Sequence, residues 1–459
     1  MPIWILMMFL LMWSKMTTRK IPALTLRRAV KYSLVIGRRG FASLPIFIMT
    51  NPKLYKAPNG AQIAYQNIPE SGILNVDIFI KSGWRNEGQN EKEYTHLLEH
   101  LLMSGSKKYP TEQSMAEVLE NIGAKLNAHT SIEYLCLRGE VLKENGRQLI
   151  DLMFDKISNP IINRKKIDKE IRVLQEEYHS QINNKNKWLE KHLINQVFPD
   201  GSLITPPYPS PYPLDKVTVN AITNYYNKII SPSSIKITVV GEIEESKILE
   251  DIKKLVNELG KGRGANLTTI IKKPRSNKPN VLDLTQNNNP DNSIGNLRFS
   301  FVTVAAGDKL SPALELISSY LGNGYQAKLF QELRLKNNLT YSYLSKNIKL
   351  SDTGIYYFGL TTRYLSEAEK IIKEHFDFWL NQIDETKLIK LKQKLINQAK
   401  YNFYSSQKNI SFGYGYDLIL IDQIQALDNY IEKINKVTIK DIQSVNDLLD
   451  IKKVFVLKA

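Results

Sequence analysis

The sequence predicts an α+β protein built as two duplicated domains, each an antiparallel sheet with helices on one face. Three observations carry that expectation. First, the apolar strand Val76-Asp77-Ile78-Phe79-Ile80 precedes an apolar-striped helix, and the strand at 297–304 precedes a helix pattern at 312–317. Strand, helix, helix and strand patterns then recur in both halves. Second, segments 260–264 and 286–292 are rich in Gly or Asn, favour turns and cannot fill a core. Third, 459 residues exceed what one hydrophobic core organises. The expected units are an N-terminal segment at 1–48, a first domain at 49–259, a linker at 260–292 and a second domain at 293–459.

The first 48 residues read as a targeting segment or a mispredicted extension. Residues 1–13 are almost wholly apolar but short for a bilayer span, and no basic region precedes them as in a secretory signal. Residues 16–31 are basic, hydroxylated and free of acids, like a mitochondrial presequence, and Arg38-Arg39-Gly40-Phe41-Ala42-Ser43 resembles a matrix cleavage site with the cut after Phe41. That reading places the mature chain in the mitochondrial matrix. The alternative is a bacterial cytoplasmic protein whose true start is Met49. Neither predicts an integral membrane span in the mature chain.

Charge and cysteine content narrow the classes further. The formal net charge is +16, but ten Lys and Arg fall in residues 1–69, which hold no Asp or Glu, so +6 remains for the rest. No basic run is interleaved with aromatics, which excludes a nucleic-acid path. Cys136 is the only cysteine, so no internal disulfide forms, and its strand Tyr134-Leu135-Cys136-Leu137 gives it the role of a small buried hydrophobe.

The chemistry is concentrated in His96-Leu97-Leu98-Glu99-His100. On a helix, His96 and His100 stack one turn apart and can reach a single ion, while Glu99 lies beside the position where a water would sit and can serve as general base. H-x-x-E-H is the inverted form of the H-E-x-x-H zinc signature. Such a site needs a third protein ligand. Residues 165–178 read as an amphipathic helix with Ile167, Ile171, Leu174 and Tyr178 on its core face, and Glu170 and Glu177 share another face two turns apart. One can bind the ion while the other supports the site. Glu176 is a competing ligand but points about 100° around the helix from Glu177. His129, His179, His192 and His375 read as ordinary surface or packed histidines, His179 being close enough to Glu177 to reach the site's edge.

With these residues the chain resembles the pitrilysin, insulysin and mitochondrial processing peptidase family of inverzincin zinc endopeptidases. The likeness also runs through Ser82-Gly83-Trp84-Arg85-Asn86-Glu87, Gly105-Ser106-Lys107-Lys108-Tyr109-Pro110 and Gly123-Ala124-Lys125-Leu126-Asn127-Ala128-His129-Thr130. It extends from about residue 50 to the C-terminus, more loosely in the second half. The resemblance implies one zinc ion per chain held by His96, His100 and Glu177, with Glu170 a further functional glutamate. It also implies Asn127, Ala128 and Thr130 beside the substrate. The family's second domain closes over the first like a clam shell and contributes an arginine and a tyrosine seven residues apart. Arg334 and Tyr341 match that spacing, which implies that Arg334 holds the substrate backbone and Tyr341 donates to the oxyanion.

The function so implied is a zinc-dependent endopeptidase cleaving extended peptides or unfolded segments, as a homodimer or as a heterodimer with a related subunit. The alternative is a catalytically silent structural or partner subunit of a peptidase-like complex. Such members of the family typically lack part of the zinc set, whereas this chain keeps His96, Glu99, His100 and Glu177.

Overall fold

The computed structural model describes residues 51–182, 185–199, 203, 214–243, 245–259, 276–285 and 294–459. The expected targeting segment and the turn-rich stretches 260–264 and 286–292 lie outside them. The first half begins with strands β1 Lys53–Lys56, β2 Gln62–Asn67 and β3 Ile73–Ile80, followed by helices Tyr94–Ser104 and Glu112–Asn121. Strands β4 Lys125–Thr130 and β5 Leu135–Leu142 form a hairpin, and after four α-helices among the described residues β6 Ile235–Gly241 returns to the sheet, followed by helix Glu245–Glu258. The second half contributes β7 Val281–Asp283, β8 Gly295–Thr303, helix Ser311–Gly322, a π-helical turn Phe330–Lys336, and the hairpin β9 Ser342–Lys349 and β10 Gly354–Thr362. Five helices then lead to β11 Phe455–Lys458.

The strand orders reveal the duplication. The first sheet runs β1-β2-β6-β3-β5-β4 and the second β7-β11-β8-β10-β9, so the second repeats the first strand for strand once β1 is set aside. Two expectations need correction here. The sheets are mixed rather than purely antiparallel, because β2 pairs parallel with β6 and β7 parallel with β11. In each half the last strand returns to lie beside an early one, β6 beside β2 and β11 beside β7, and such a parallel neighbour needs a long crossover that leaves no hairpin signal. Moreover, part of the stretch assigned to a linker at 260–292 is structural, since Val281–Asp283 forms the edge strand β7.

A third difference lies in the sheet faces, which were expected to carry helices on one side only. On β3, Leu74, Val76, Ile78 and Ile80 enter the first core, while the intervening Asn75, Asp77 and Phe79 are buried as well. Helix Gln407–Ile421 from the second half covers that other face. Its Ile419 and Leu420 pack with Phe79, Tyr134 and Cys136, its Ser411 hydroxyl lies 2.8 Å from that of Thr238, and Tyr414 donates to Gln66 at 2.8 Å. The exchange is reciprocal. Helix Lys185–Val197 of the first half lays Leu189, Leu193, Ile194 and Val197 against Ile355, Tyr357, Phe455 and Leu457 of the second sheet, and Gln196 donates to the Val456 carbonyl at 2.9 Å. Each sheet therefore carries helices on both faces, one lent by the other half.

A glycine sets the closeness of this contact. A Cβ at Gly415 would lie 1.9 Å from Cε2 of Phe79. Glycine-to-alanine inside a helix normally stabilises, so this position separates packing from propensity. Gly415→Ala should instead destabilise by about 1–3 kcal/mol, the usual cost of overpacking. Urea titration measures it, and an unchanged or higher midpoint would mean that the helix does not sit on β3.

Candidate metal centre

The helix Tyr94–Ser104 is held at both ends. At its start the buried Glu87 carboxylate accepts from the backbone N–H of Glu93 at 3.0 Å and of Thr95 at 2.8 Å, pairing donors that a helix N-terminus leaves open. Burial pushes the Glu87 carboxyl up to about 8 against those bonds. At its end Lys156 donates to the carbonyls of Leu102 at 3.0 Å and Met103 at 3.2 Å, and Lys166 to that of Ser104 at 2.7 Å. Cations there complement the helix dipole.

Two faces of this helix are used for packing. Leu98 and Leu102 enter the first core, while Leu97 and Leu101 meet Ile167, Ile171 and Leu174 of helix Arg164–Ile182. His96, Glu99 and His100 are left half-buried on the remaining face. That seating sets the register of the second helix, and Glu177 comes to lie opposite both rings. Its carboxylate oxygens are 3.6 Å from Nε2 of His96 and 3.7 Å from Nε2 of His100. One ligand atom from each of His96, His100 and Glu177 falls within 4.8 Å of the other two. Glu176 is exposed and outside this group.

Each ring is oriented from behind. Nδ1 of His100 lies 3.3 Å from the buried Glu170 carboxylate, and Nδ1 of His96 lies 3.2 Å from that of Glu93. A proton kept on each Nδ1 leaves Nε2 facing Glu177 as a donor to a metal. Burial works against a proton on His96, yet hydrogen bonds to Glu177 and Glu93, together with the charges of Glu93 and Glu99, prevail and hold the ring up to about 10. Glu177 is held low, first by its bond with His96. The cluster thus calls for a cation. Two imidazoles and one carboxylate are the donor set of a catalytic zinc with one position left over, so the residues fit that metal.

The neighbouring residues complete the picture. Glu99 accepts a hydrogen bond from the Thr130 hydroxyl at 2.6 Å. Thr130 ends β4, the edge strand of the first sheet, on which Asn127 is exposed and Ala128 buried. Arg334 and Tyr341 meet each other, with the guanidinium 4.5 Å from the centre of the Tyr341 ring and 5.1 Å from that of Phe330. Tyr341 is 83% exposed, and no hydrogen bond among the described residues joins either side chain to the His96, His100 and Glu177 group. His129 packs edge-on to Tyr134 and His192 on Trp188. Burial pushes both rings' pKa values down, that of His129 to about 4, as for packed neutral histidines.

Residues 62–206 match the family model for insulinase, peptidase family M16, and residues 216–399 match the model for the peptidase M16 inactive domain. The chain belongs to peptidase family M16. An uncharacterized zinc protease of Rickettsia felis is 25% identical over 79% of this chain and 85% of that protein. A probable mitochondrial-processing peptidase subunit beta of Arabidopsis thaliana is 23% identical over 65% of this chain and 57% of that protein. The fold is also that of a peptidase M16 inactive domain from Pseudomonas fluorescens, with a TM-score of 0.79 at 16% identity over 89% of this chain and 98% of the other. M16 relatives thus come from both bacteria and mitochondria. Among the described residues, no helix of this M16 chain is long and apolar enough to cross a membrane.

Three residues of this M16 chain escaped the sequence reading of the site. Arg85 is buried and joins the halves, donating to Glu133 at 2.5 Å and through both Nη atoms to Asp352 at 2.8 and 2.6 Å. Glu87, two residues on, caps the histidine helix, and Glu93 backs His96. Only the third had a local signal, a carboxylate one turn before a histidine. If Glu177 is the third ligand, Glu177→Gln should lose most of its zinc on dialysis while Glu176→Gln keeps it. Metal analysis decides, and a Glu177→Gln protein with stoichiometric zinc would remove Glu177 from the ligand set.

Proposed function

We propose that this M16 chain is a zinc-dependent endopeptidase that cleaves extended peptides or unfolded segments, with its chemistry in the first half. One observation carries the reading: His96, His100 and Glu177 present one ligand atom each within 4.8 Å of one another. Glu99 stands on the same helix face. Bound zinc supplies a positive charge that acidifies a water molecule and polarises a carbonyl. Glu99 takes the proton of the attacking water and returns it to the leaving amine. The Thr130 hydroxyl, 2.6 Å away, holds that carboxylate in place from the edge strand. Glu170 keeps the His100 imidazole turned toward the ion.

Substrate binding follows from the open edge of β4. Its outer backbone groups can add an extended peptide as a further strand, giving affinity with little demand on sequence, while Asn127, Ala128 and Thr130 line its course. In the second half Arg334 holds the peptide backbone and Tyr341 donates its hydroxyl to the oxyanion as the halves enclose the substrate. Support comes from their joint presentation, the exposed phenol stacked on the guanidinium at the end of a π-helical turn. The presence of His96, Glu99, His100 and Glu177 together favours this reading over a silent partner subunit.

Turnover of a fluorogenic peptide by zinc-loaded protein tests the roles. Glu99→Gln should keep its zinc and lose about 10²–10⁴-fold in kcat, the range for removing a general base. Tyr341→Phe should lower kcat by about 10²-fold with zinc unchanged. Parent-like turnover in Glu99→Gln would contradict the proposed chemistry, and parent-like turnover in Tyr341→Phe would confine the second half to packing.

A further inference from the structure

We infer that Glu93 is a positioning residue for His96, a carboxylate held in an unfavourable backbone conformation so that it can fix the ring. The inference rests on the zinc reading above and extends it to a residue outside the ligand set. Glu93 has φ 68°, in the left-handed region that glycine enters freely and other residues avoid, and it occupies the N-cap of helix Tyr94–Ser104. Backbone strain of this kind persists where surrounding structure enforces it and often marks a functional site.

The usual reasons for a polar residue at an N-cap are missing. An N-cap side chain ordinarily accepts from the helix's first free N–H groups, but that of Glu93 makes no such bond, because Glu87 accepts from Thr95 N and from Glu93 N itself. The Glu93 carboxylate is thereby released to turn onto the next helical turn, where Oε2 lies 3.2 Å from Nδ1 of His96. Glu170 does the same for His100 at 3.3 Å from a different helix. Each imidazole thus has its own carboxylate, and the one behind His96 is supplied locally at the expense of backbone strain. Glu93 also offsets the ammonium of Lys191, whose burial pushes its pKa down to about 8. A residue kept only for that pair would matter to stability and not to the metal.

The two roles separate in zinc affinity, measured by competition with a chelating dye, alongside the melting temperature of the metal-free protein. Glu93→Gly removes the carboxylate and the strain together, and should weaken zinc binding by about 10–100-fold, as loss of a carboxylate behind a ligating histidine does. Glu93→Gln retains an amide oxygen that can accept from Nδ1 and should fall between Glu93→Gly and the parent. Metal-free Glu93→Gly should melt no lower than metal-free Glu93→Gln, since glycine relieves the φ. Lys191→Met should bind zinc as the parent does. Zinc affinity in Glu93→Gly within about twofold of the parent would overturn the inference and leave the zinc reading standing. A parent protein without stoichiometric zinc would overturn both.

Discussion

The site depends on how helix Arg164–Ile182 is seated on helix Tyr94–Ser104. Leu97 and Leu101 pack into Ile167, Ile171 and Leu174, and Lys166 ties the second helix to the last carbonyl of the first at 2.7 Å. A slip of one residue along that contact would turn the second helix by about 100° and carry Glu177 away from both imidazoles. The apolar side chains therefore set the geometry that the polar ones use. Glu87 at one end of the histidine helix and Lys156 at the other hold it against the same movement.

The exchange of helices between the halves explains why that arrangement can be rigid. Each sheet is sandwiched between its own helices and one lent by the other half, so the halves share cores as well as touching. The buried Arg85 adds a polar clamp, gripping Glu133 of its own half and Asp352 of the other. Arg85 lies in the short helical turn Trp84–Asn86, and the cap Glu87 directly follows it. The seam between the halves and the start of the histidine helix are thus fixed by neighbouring residues of the chain.

The grouping of the candidate residues was legible in the sequence because its spacing is helical. His96, Glu99 and His100 fall on one face at i, i+3 and i+4, and Glu170 and Glu177 at two turns, and such periodicities survive folding unchanged. The duplication was legible for a similar reason, in the repeated order of strand and helix patterns. Parallel pairing was not, since β2 and β6 are far apart in the chain and nothing local marks them as neighbours. Helices on both faces were also missed, since polar residues such as Asn75, Asp77, Arg138 and Thr238 are as compatible with water as with a polar helix face. They are in fact covered by helix Gln407–Ile421, where Arg138 pairs with Asp77 at 3.0 Å and donates to the Lys408 carbonyl at 2.8 Å. Alternation of polar and apolar residues shows where one core lies and cannot distinguish water from a polar helix face on the other side.

On the proposed reading, two imidazoles and one carboxylate of the first half converge on a single zinc ion. X-ray absorption at the zinc edge of the purified, dialysed protein tests it most directly. The expected result is stoichiometric zinc in a shell of four nitrogen or oxygen neighbours at about 2.0–2.1 Å, with the outer-shell signature of two imidazoles and no sulfur at about 2.3 Å. A shell containing sulfur, which only Cys136 or a methionine could supply, or one with fewer than two imidazoles, would contradict it.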